Sequence, residues 1–313
     1  MASPVAAIDI GGTKTLIEVY ESGQREPAGS EESPTPGSGE LVRDLAESVR
    51  RVAGGQDVEA VAVGCPGPLD PLGGVILNPP NLSREWWGLR LADGLAGELG
   101  APAALENDCN LGALGEWDHG SGKGYDSVLY VTVSTGVGAG LVSGGEIFGG
   151  NRGFALELGH TVLETGGPVC GCGRAGCVEA LTSGPAIARR ALELGWTPDP
   201  GETDSRAVAY AAERGHPVAH RALEEAASYL GKALVNFIYS FDPGVVVLGG
   251  GVTRSDLFVS LARDAVGREP VMEAFLGVPV VRAGQPGRSV IHGARTLAER
   301  TSRNSSRPTG TGR

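Results

Sequence analysis

No apolar run in this chain reaches the roughly 18 residues that a membrane-spanning helix needs, so no membrane partner is expected. The opening residues, MASPVAAIDI, lack the basic stretch ahead of an apolar segment that marks a secretory signal, and a cytoplasmic location is expected. Lysine is scarce: Lys14, Lys123 and Lys232 stand against 23 arginines. With 26 basic and 37 acidic residues the formal net charge is −11. That balance argues against a broad basic face, and no nucleic-acid partner is expected. No G-x-x-x-x-G-K-[ST] segment occurs, which excludes a Walker-type phosphate loop. A Gly-X-Y period is also missing. That absence, with 41% hydrophobic residues, argues against a collagen-like or disordered reading of the 51 glycines.

The glycines cluster between apolar runs, as in IDIGGTK, VSTGVGAG and VVLGGGV. This placement fits tight turns at strand ends, where positive φ or close approach to a ligand is needed. A length of 313 residues suits two domains of about 150 residues each. Apolar patterning predicts strands near 5–10, 16–20, 58–64, 103–106, 127–133, 245–248 and 278–281. Helices are predicted near 41–52, 89–99, 110–117, 185–194, 206–214, 219–240 and 289–298, with 22–40 a loop. A strand, a Gly-rich turn and a strand occur twice, over 5–20 and 127–148. This reads as a weak internal duplication with each copy opening a domain; two independent hairpins are the alternative.

Three constellations carry chemistry. Asp9-Ile-Gly-Gly-Thr-Lys14 can aim backbone N–H groups at a phosphate, with Asp9 near a phosphate-bound Mg²⁺, or can be an ordinary hairpin turn. Glu106-Asn107-Asp108 closes a strand, where α/β sheets place ligands; Asp108 can be a general base or a helix N-cap. His160, Cys170, Cys172 and Cys177 supply the four donors of a closed tetrahedral Zn²⁺ site, against core or surface thiols. Gly171-Cys-Gly-Arg-Ala-Gly176 matches G-x-G-x-x-G, but it follows no strand and opens no helix, so it is not a dinucleotide fingerprint.

The ordered segments DIGGTK, CPGPLD, ENDCNLGALGE, VSTGVGAG, LELGH, CGCGRAGCVE and LGGGV resemble the motifs of the ROK family of sugar kinases and repressors. The resemblance runs from about residue 8 to residue 297. It implies an actin-like (ribonuclease H-like) fold of two α/β domains, with ATP and sugar in a cleft between them. The expected boundaries are 1–110, completed by a C-terminal helix at about 287–302, then 111–286 with the zinc loop, and a disordered tail at 303–313. Asp9, Gly11, Gly12, Thr13 and Lys14 match the family's first phosphate loop. Thr135, Gly136 and Gly138 match the second, and Gly249, Gly250 and Gly251 the adenosine site. Asp108 matches the catalytic base. Gly67, Asn81, Asn107, Glu157, His160 and Glu179 match sugar contacts, and His160, Cys170, Cys172 and Cys177 the structural zinc ligands. Leu156 departs from the Gly or Ala commoner before Glu157.

The resemblance implies ATP-dependent transfer of a phosphoryl group to a hexose hydroxyl, first of all O6 of glucose. ATP, Mg²⁺ and a structural Zn²⁺ are the implied cofactors, and a homodimer or homotetramer the implied assembly. An aminohexose (kanosamine, glucosamine) or an N-acetylhexosamine is the alternative substrate. A sugar-responsive regulator is disfavoured, because no room for a helix-turn-helix precedes Asp9.

Overall fold

The computed structural model describes residues 3–198, 201 and 203–305. The chain divides into two compact units, one of residues 1–120, 146–155 and 288–313, the other of residues 121–145 and 156–287. In chain order the first unit begins with β1 (Val5–Ile10), β2 (Lys14–Tyr20), β3 (Gly29–Pro34), α1 (Leu41–Val52) and β4 (Ala60–Cys65). It continues through the short strands β5 (Leu69–Asp70) and β6 (Val75–Ile76), then α2 (Leu91–Leu99), β7 (Ala103–Asn107) and α3 (Asp108–His119). The expected boundary at 110 falls inside α3, whose hydrogen-bonded ladder keeps it whole within the first unit.

Next come β8 (Ser127–Val133), β9 (Val137–Ser143), β10 (Glu146–Ile147), α4 (Val178–Thr182), α5 (Gly184–Glu193) and α6 (Ser205–Glu213). The last elements are α7 (Pro217–Phe241), β11 (Val245–Gly249), α8 (Asp256–Arg268), β12 (Val280–Arg282) and α9 (Ser289–Ser305). Two five-stranded sheets result, ordered β3-β2-β1-β4-β7 and β10-β9-β8-β11-β12. Each has an antiparallel hairpin (β1 with β2, β8 with β9) whose first strand pairs in parallel with a later one (β4, β11). The repeated strand–turn–strand pattern thus heads two sheets of the same order.

The first sheet is buried on both faces, so β1 and β4 read as continuous apolar runs. One face packs on Leu41, Leu45 and Val49 of α1 and on Leu91 and Leu95 of α2. On the other, α3 and α9 cross very closely. A Cβ at Gly115 would lie 2.0 Å from the Ser289 carbonyl oxygen, and one at Gly293 would lie 1.9 Å from that of Leu111. The parallel register sets Asp9 beside Gly64 and Cys65 beside Asn107, so the carboxyl ends of β1, β4 and β7 share one edge. Ligand sites of α/β sheets lie beyond such edges.

Two further expectations are corrected, and one helix had none. The 22–40 segment is not all loop: β3 pairs with β2, as in Thr15 with Ser33. Its sequence, GSEESP, is polar with alternating exposure, so only its neighbour reveals it. The C-terminal helix runs to Ser305, where the Thr301 and Ser305 hydroxyls donate back to the Leu297 and Ser302 carbonyls; the rest of the expected tail, 306–313, lies outside the described residues. Helix α8, capped by the Ser255 hydroxyl, had no expectation at all. Among the described residues no helix is long and apolar enough to cross a membrane.

Candidate active site

In the first unit, β1 carries Asp9 to the shared edge and the hairpin closes with Gly11 N–H donating to the Lys14 carbonyl at 2.8 Å. Thr35 braces the turn: its hydroxyl donates to the Gly11 carbonyl at 2.7 Å and its N–H to that of Thr13 at 3.0 Å. A Cβ at Gly12 would lie 2.9 Å from the Asn81 carbonyl oxygen, so the turn sits directly on the Asn81 loop. That loop is anchored by two indoles, Trp86 donating to the Pro36 carbonyl and Trp87 to that of Pro79. Lys14 is exposed and its ammonium meets Glu32 on β3 at 2.5 Å.

At the end of β7 the helix-cap alternative for Asp108 is decided in its neighbour's favour. Asn107 is the N-cap, its Oδ1 accepting from the N–H groups of Cys109 at 2.9 Å and Asn110 at 3.3 Å. Asp108 is the first residue of α3 and is half-buried, with Oδ1 accepting from Cys109 N–H at 2.8 Å. Burial, and then the charge of Asp108, push the Asp9 carboxyl up to about 7. Two carboxylates are therefore electrostatically coupled at this edge. Burial also raises Glu106, against hydrogen bonds from Asn110 and Asn107 that hold it down. Gly67 faces the Asn107 amide, whose Nδ2 would lie 3.4 Å from a Cβ there.

In the second unit the β8–β9 hairpin turns through Thr135 and Gly136, closed by Ser134 N–H donating to the Gly136 carbonyl at 2.8 Å. Gly138 follows, paired with Thr132. At the end of β11, Gly249 makes room for the Tyr130 ring, and Gly250 takes φ +93°. Thr135 and Gly251 line one cavity of about 610 Å³ with Ser134, Gly184, Asp204, Arg206 and Arg254. One residue of each expected set, Thr135 of the second phosphate loop and Gly251 of the adenosine glycines, thus lines this pocket; Gly136, Gly138, Gly249 and Gly250 are not among its lining residues. Its wall from α6 was missed, since Asp204-Ser-Arg206 matches no motif and reads as an ordinary helix start. Asp204 indeed caps α6, and the Ala207 amide first, then the Arg206 guanidinium, holds its carboxyl below the usual range.

The expected metal ligands His160, Cys170, Cys172 and Cys177 bring their donor atoms within 4.8 Å of one another. Cys170 Sγ lies 3.6 Å from His160 Nδ1, and Cys172 Sγ lies 3.7 Å from Cys177 Sγ. A tetrahedron with Zn–S of about 2.3 Å and Zn–N of about 2.0–2.1 Å has edges of about 3.8 and 3.6 Å. The donor set therefore fits Zn²⁺. Its loop is tied by bridges between Val162 and Cys177 and between Val169 and Ala175. His160 Nδ1 faces the thiols, while Nε2 lies 4.0 Å from Glu157. Glu157 is exposed and centres a tight turn in which Leu158 N–H donates to the Leu156 carbonyl at 2.6 Å. Leu156 enters this turn at φ +73°, buried. Glu179, from α4, accepts from Val137 N–H at 3.0 Å.

Residues 5–301 match the sequence model of the ROK family. The chain belongs to the ROK family. Among its relatives, a glucokinase from Thermotoga maritima is 33% identical over 285 residues, covering 86% of this chain and 89% of its own. The crystal structure of a ROK hexokinase from Thermus thermophilus superposes with a TM-score of 0.84 at 36% identity, covering 96% of this chain and 99% of that one. A ROK family glucokinase from Streptomyces griseus, solved with glucose and AMPPNP, gives a TM-score of 0.80 at 30% identity, with 95% and 99% covered. The mixed α/β fold of two five-stranded sheets is that of these ROK kinases.

Proposed function

We propose that this chain is an ATP-dependent hexose kinase that phosphorylates a sugar hydroxyl, with O6 of glucose the first candidate. The observation that carries the reading is Asp108. Asn107 is the cap of α3, and the half-buried carboxylate of Asp108, whose Oδ1 accepts from Cys109 N–H, stands at the shared strand edge beside Asp9. Glucose and AMPPNP in the Streptomyces griseus relative support the two substrate classes.

Phosphoryl transfer has a loose transition state, so catalysis is mainly positioning and charge stabilisation. In the proposed step, the sugar oxygen bonds to the γ-phosphorus as the bond to the β,γ-bridging oxygen breaks, releasing ADP. The hydroxyl proton passes to the Asp108 carboxylate. The turns at Gly11, Gly12 and Thr13 and at Thr135, Gly136 and Gly138 offer backbone N–H groups to phosphates, and Gly249, Gly250 and Gly251 border the adenosine. Lys14 would exchange Glu32 for a phosphate oxygen, since an exposed pair is worth little. Asn107, Glu157, His160 and Glu179, with the loops at Gly67 and Asn81, hold the sugar.

Asp9 would hold Mg²⁺, which supplies charge neutralisation at the phosphates. His160 through Nδ1 and the thiolates of Cys170, Cys172 and Cys177 would hold Zn²⁺ in a structural role, and His160 Nε2 would be left to meet the sugar hydroxyls. Assembly as a homodimer or homotetramer belongs to the same proposal and is read by light scattering. The deciding test is ADP release across glucose, mannose, fructose, glucosamine, kanosamine, N-acetylglucosamine and N-acetylmannosamine. Turnover with glucose is expected; turnover confined to an amino sugar moves the substrate, and turnover with none ends the kinase reading.

A further inference from the structure

Val137 is a junction in the second unit. Its N–H donates to Glu179 Oε2 at 3.0 Å. Its carbonyl is covered by Gly159, where a Cβ would lie only 1.9 Å from the oxygen. Val137 also opens β9 immediately after the Thr135–Gly136 turn. The other carboxylate oxygen, Glu179 Oε1, lies 3.4 Å from Cys170 Sγ and 4.0 Å from His160 Nδ1. A Cβ at Gly136 would lie 2.6 Å from Oε2, so the turn passes the carboxylate closely because that residue is glycine. On the far side, Gly184 N–H at the start of α5 donates to the Ser134 carbonyl at 2.8 Å. The turn is thus gripped from both flanks, by a helix start at Ser134 and by the Glu179 arm at Val137.

We propose that Glu179 is a positioning residue for the nucleotide, tying the zinc loop to the second phosphate turn through Val137. The inference rests on the reading of that turn as a phosphate loop. It gives Glu179 a role distinct from holding sugar, and it makes the metal cluster bear on nucleotide affinity as well as sugar affinity. Reach matters more than charge in this role, because the accepting oxygen must arrive at Val137 N–H.

Two conservative variants separate reach from charge. E179Q keeps the length and an accepting oxygen but loses the charge. E179D keeps the charge and shortens the arm by one methylene. Both are prepared as zinc-loaded protein and compared with wild type, without sugar, by hydrogen exchange at the Val137 amide and by calorimetric affinity for a non-hydrolysable ATP analogue. E179D is expected to exchange about tenfold faster at Val137 and to bind the analogue about tenfold more weakly, the effect of one lost hydrogen bond. E179Q is expected to match wild type in both. E179D indistinguishable from wild type in exchange, or variants that lose sugar affinity while nucleotide affinity is unchanged, overturn the proposal. If wild type binds no analogue while the exchange difference persists, the tie stands and the phosphate reading of the turn fails.

Discussion

At the scale of single residues, the candidate site turns on a division of labour between neighbours. Asn107 caps α3, while Asp108 is the first residue of the helix and its Oδ1 accepts from Cys109 N–H. Asp108→Asn is expected to bind sugar and nucleotide normally while kcat falls about a thousandfold, as loss of a general base does. Steady-state kinetics with binding isotherms checks this, and a near-normal kcat would remove Asp108 from the mechanism. The sequence reading offered only Asp108 as the cap, and the hydrogen bonds give that place to Asn107. Leu156 shows the opposite case, where the sequence showed a departure but not its cost. A buried leucine at φ +73° pays the left-handed penalty that glycine avoids. In a right-handed setting Gly is usually about 1 kcal/mol worse than Ala. Here the order should reverse, with Leu156→Gly about 1 kcal/mol more stable than Leu156→Ala in urea unfolding. Both should be less stable than wild type, since each loses a buried side chain.

At the scale of elements, legibility followed how much of an element's reason lay within itself. Strands β1, β4 and β11 are buried on both faces and were plain as apolar runs. The buried stripe of α7, with Leu223, Leu230, Leu234 and Phe237, was equally plain. Strand β3 was not, because its residues are polar and its pairing with β2 is its whole justification. The pocket wall from Asp204 to Arg206 was illegible for a similar reason: a capped helix start becomes a wall only when Gly251 and Thr135 are brought opposite. The proposed zinc loop lies between these cases. Its candidate donors were legible as a set, yet only coordinates show that His160 turns Nδ1 toward Cys170. Removing zinc by chelation, or substituting Cys172→Ser, should raise the sugar KM, because His160 loses the bond that orients its ring. Metal content by mass spectrometry should drop from one zinc per chain in parallel. Unchanged KM and kcat after verified zinc loss would show that the cluster does not serve the sugar.

At the scale of the whole molecule, the two sheets share a strand order, and the chemistry-bearing turns occupy corresponding places in each hairpin. Repetition of one architecture explains why the motifs could be placed from sequence: each sits where a strand gives way to a turn. It also concentrates titratable groups beside buried surface, with opposite consequences for pH. Asp9 is pushed up to about 7 by burial and by Asp108. The folded state thus keeps a proton there that the unfolded chain has released, so this contribution is full below about pH 4 and is lost as pH rises toward 7. His292, on α9, is pushed down to about 4 by burial, by Arg288 and by His119, with Glu18 opposing and Arg295 adding. Its Nε2 accepts from Arg288 Nε at 3.2 Å, and its Nδ1 is buried without a hydrogen-bond partner. Here the unfolded chain binds the proton first, so stability is lost as pH falls from about 6.5 toward 4. The two slopes oppose each other across one window, and wild type shows only their difference. Asp9→Asn should therefore gain Tm relative to wild type at pH 7 and lose that advantage at pH 4, whereas His292→Gln should gain at pH 4 relative to its own offset at pH 7. Thermal unfolding of the three proteins at matched ionic strength between pH 4 and 7 measures both, and parallel Tm curves would mean that neither group titrates as its surroundings require.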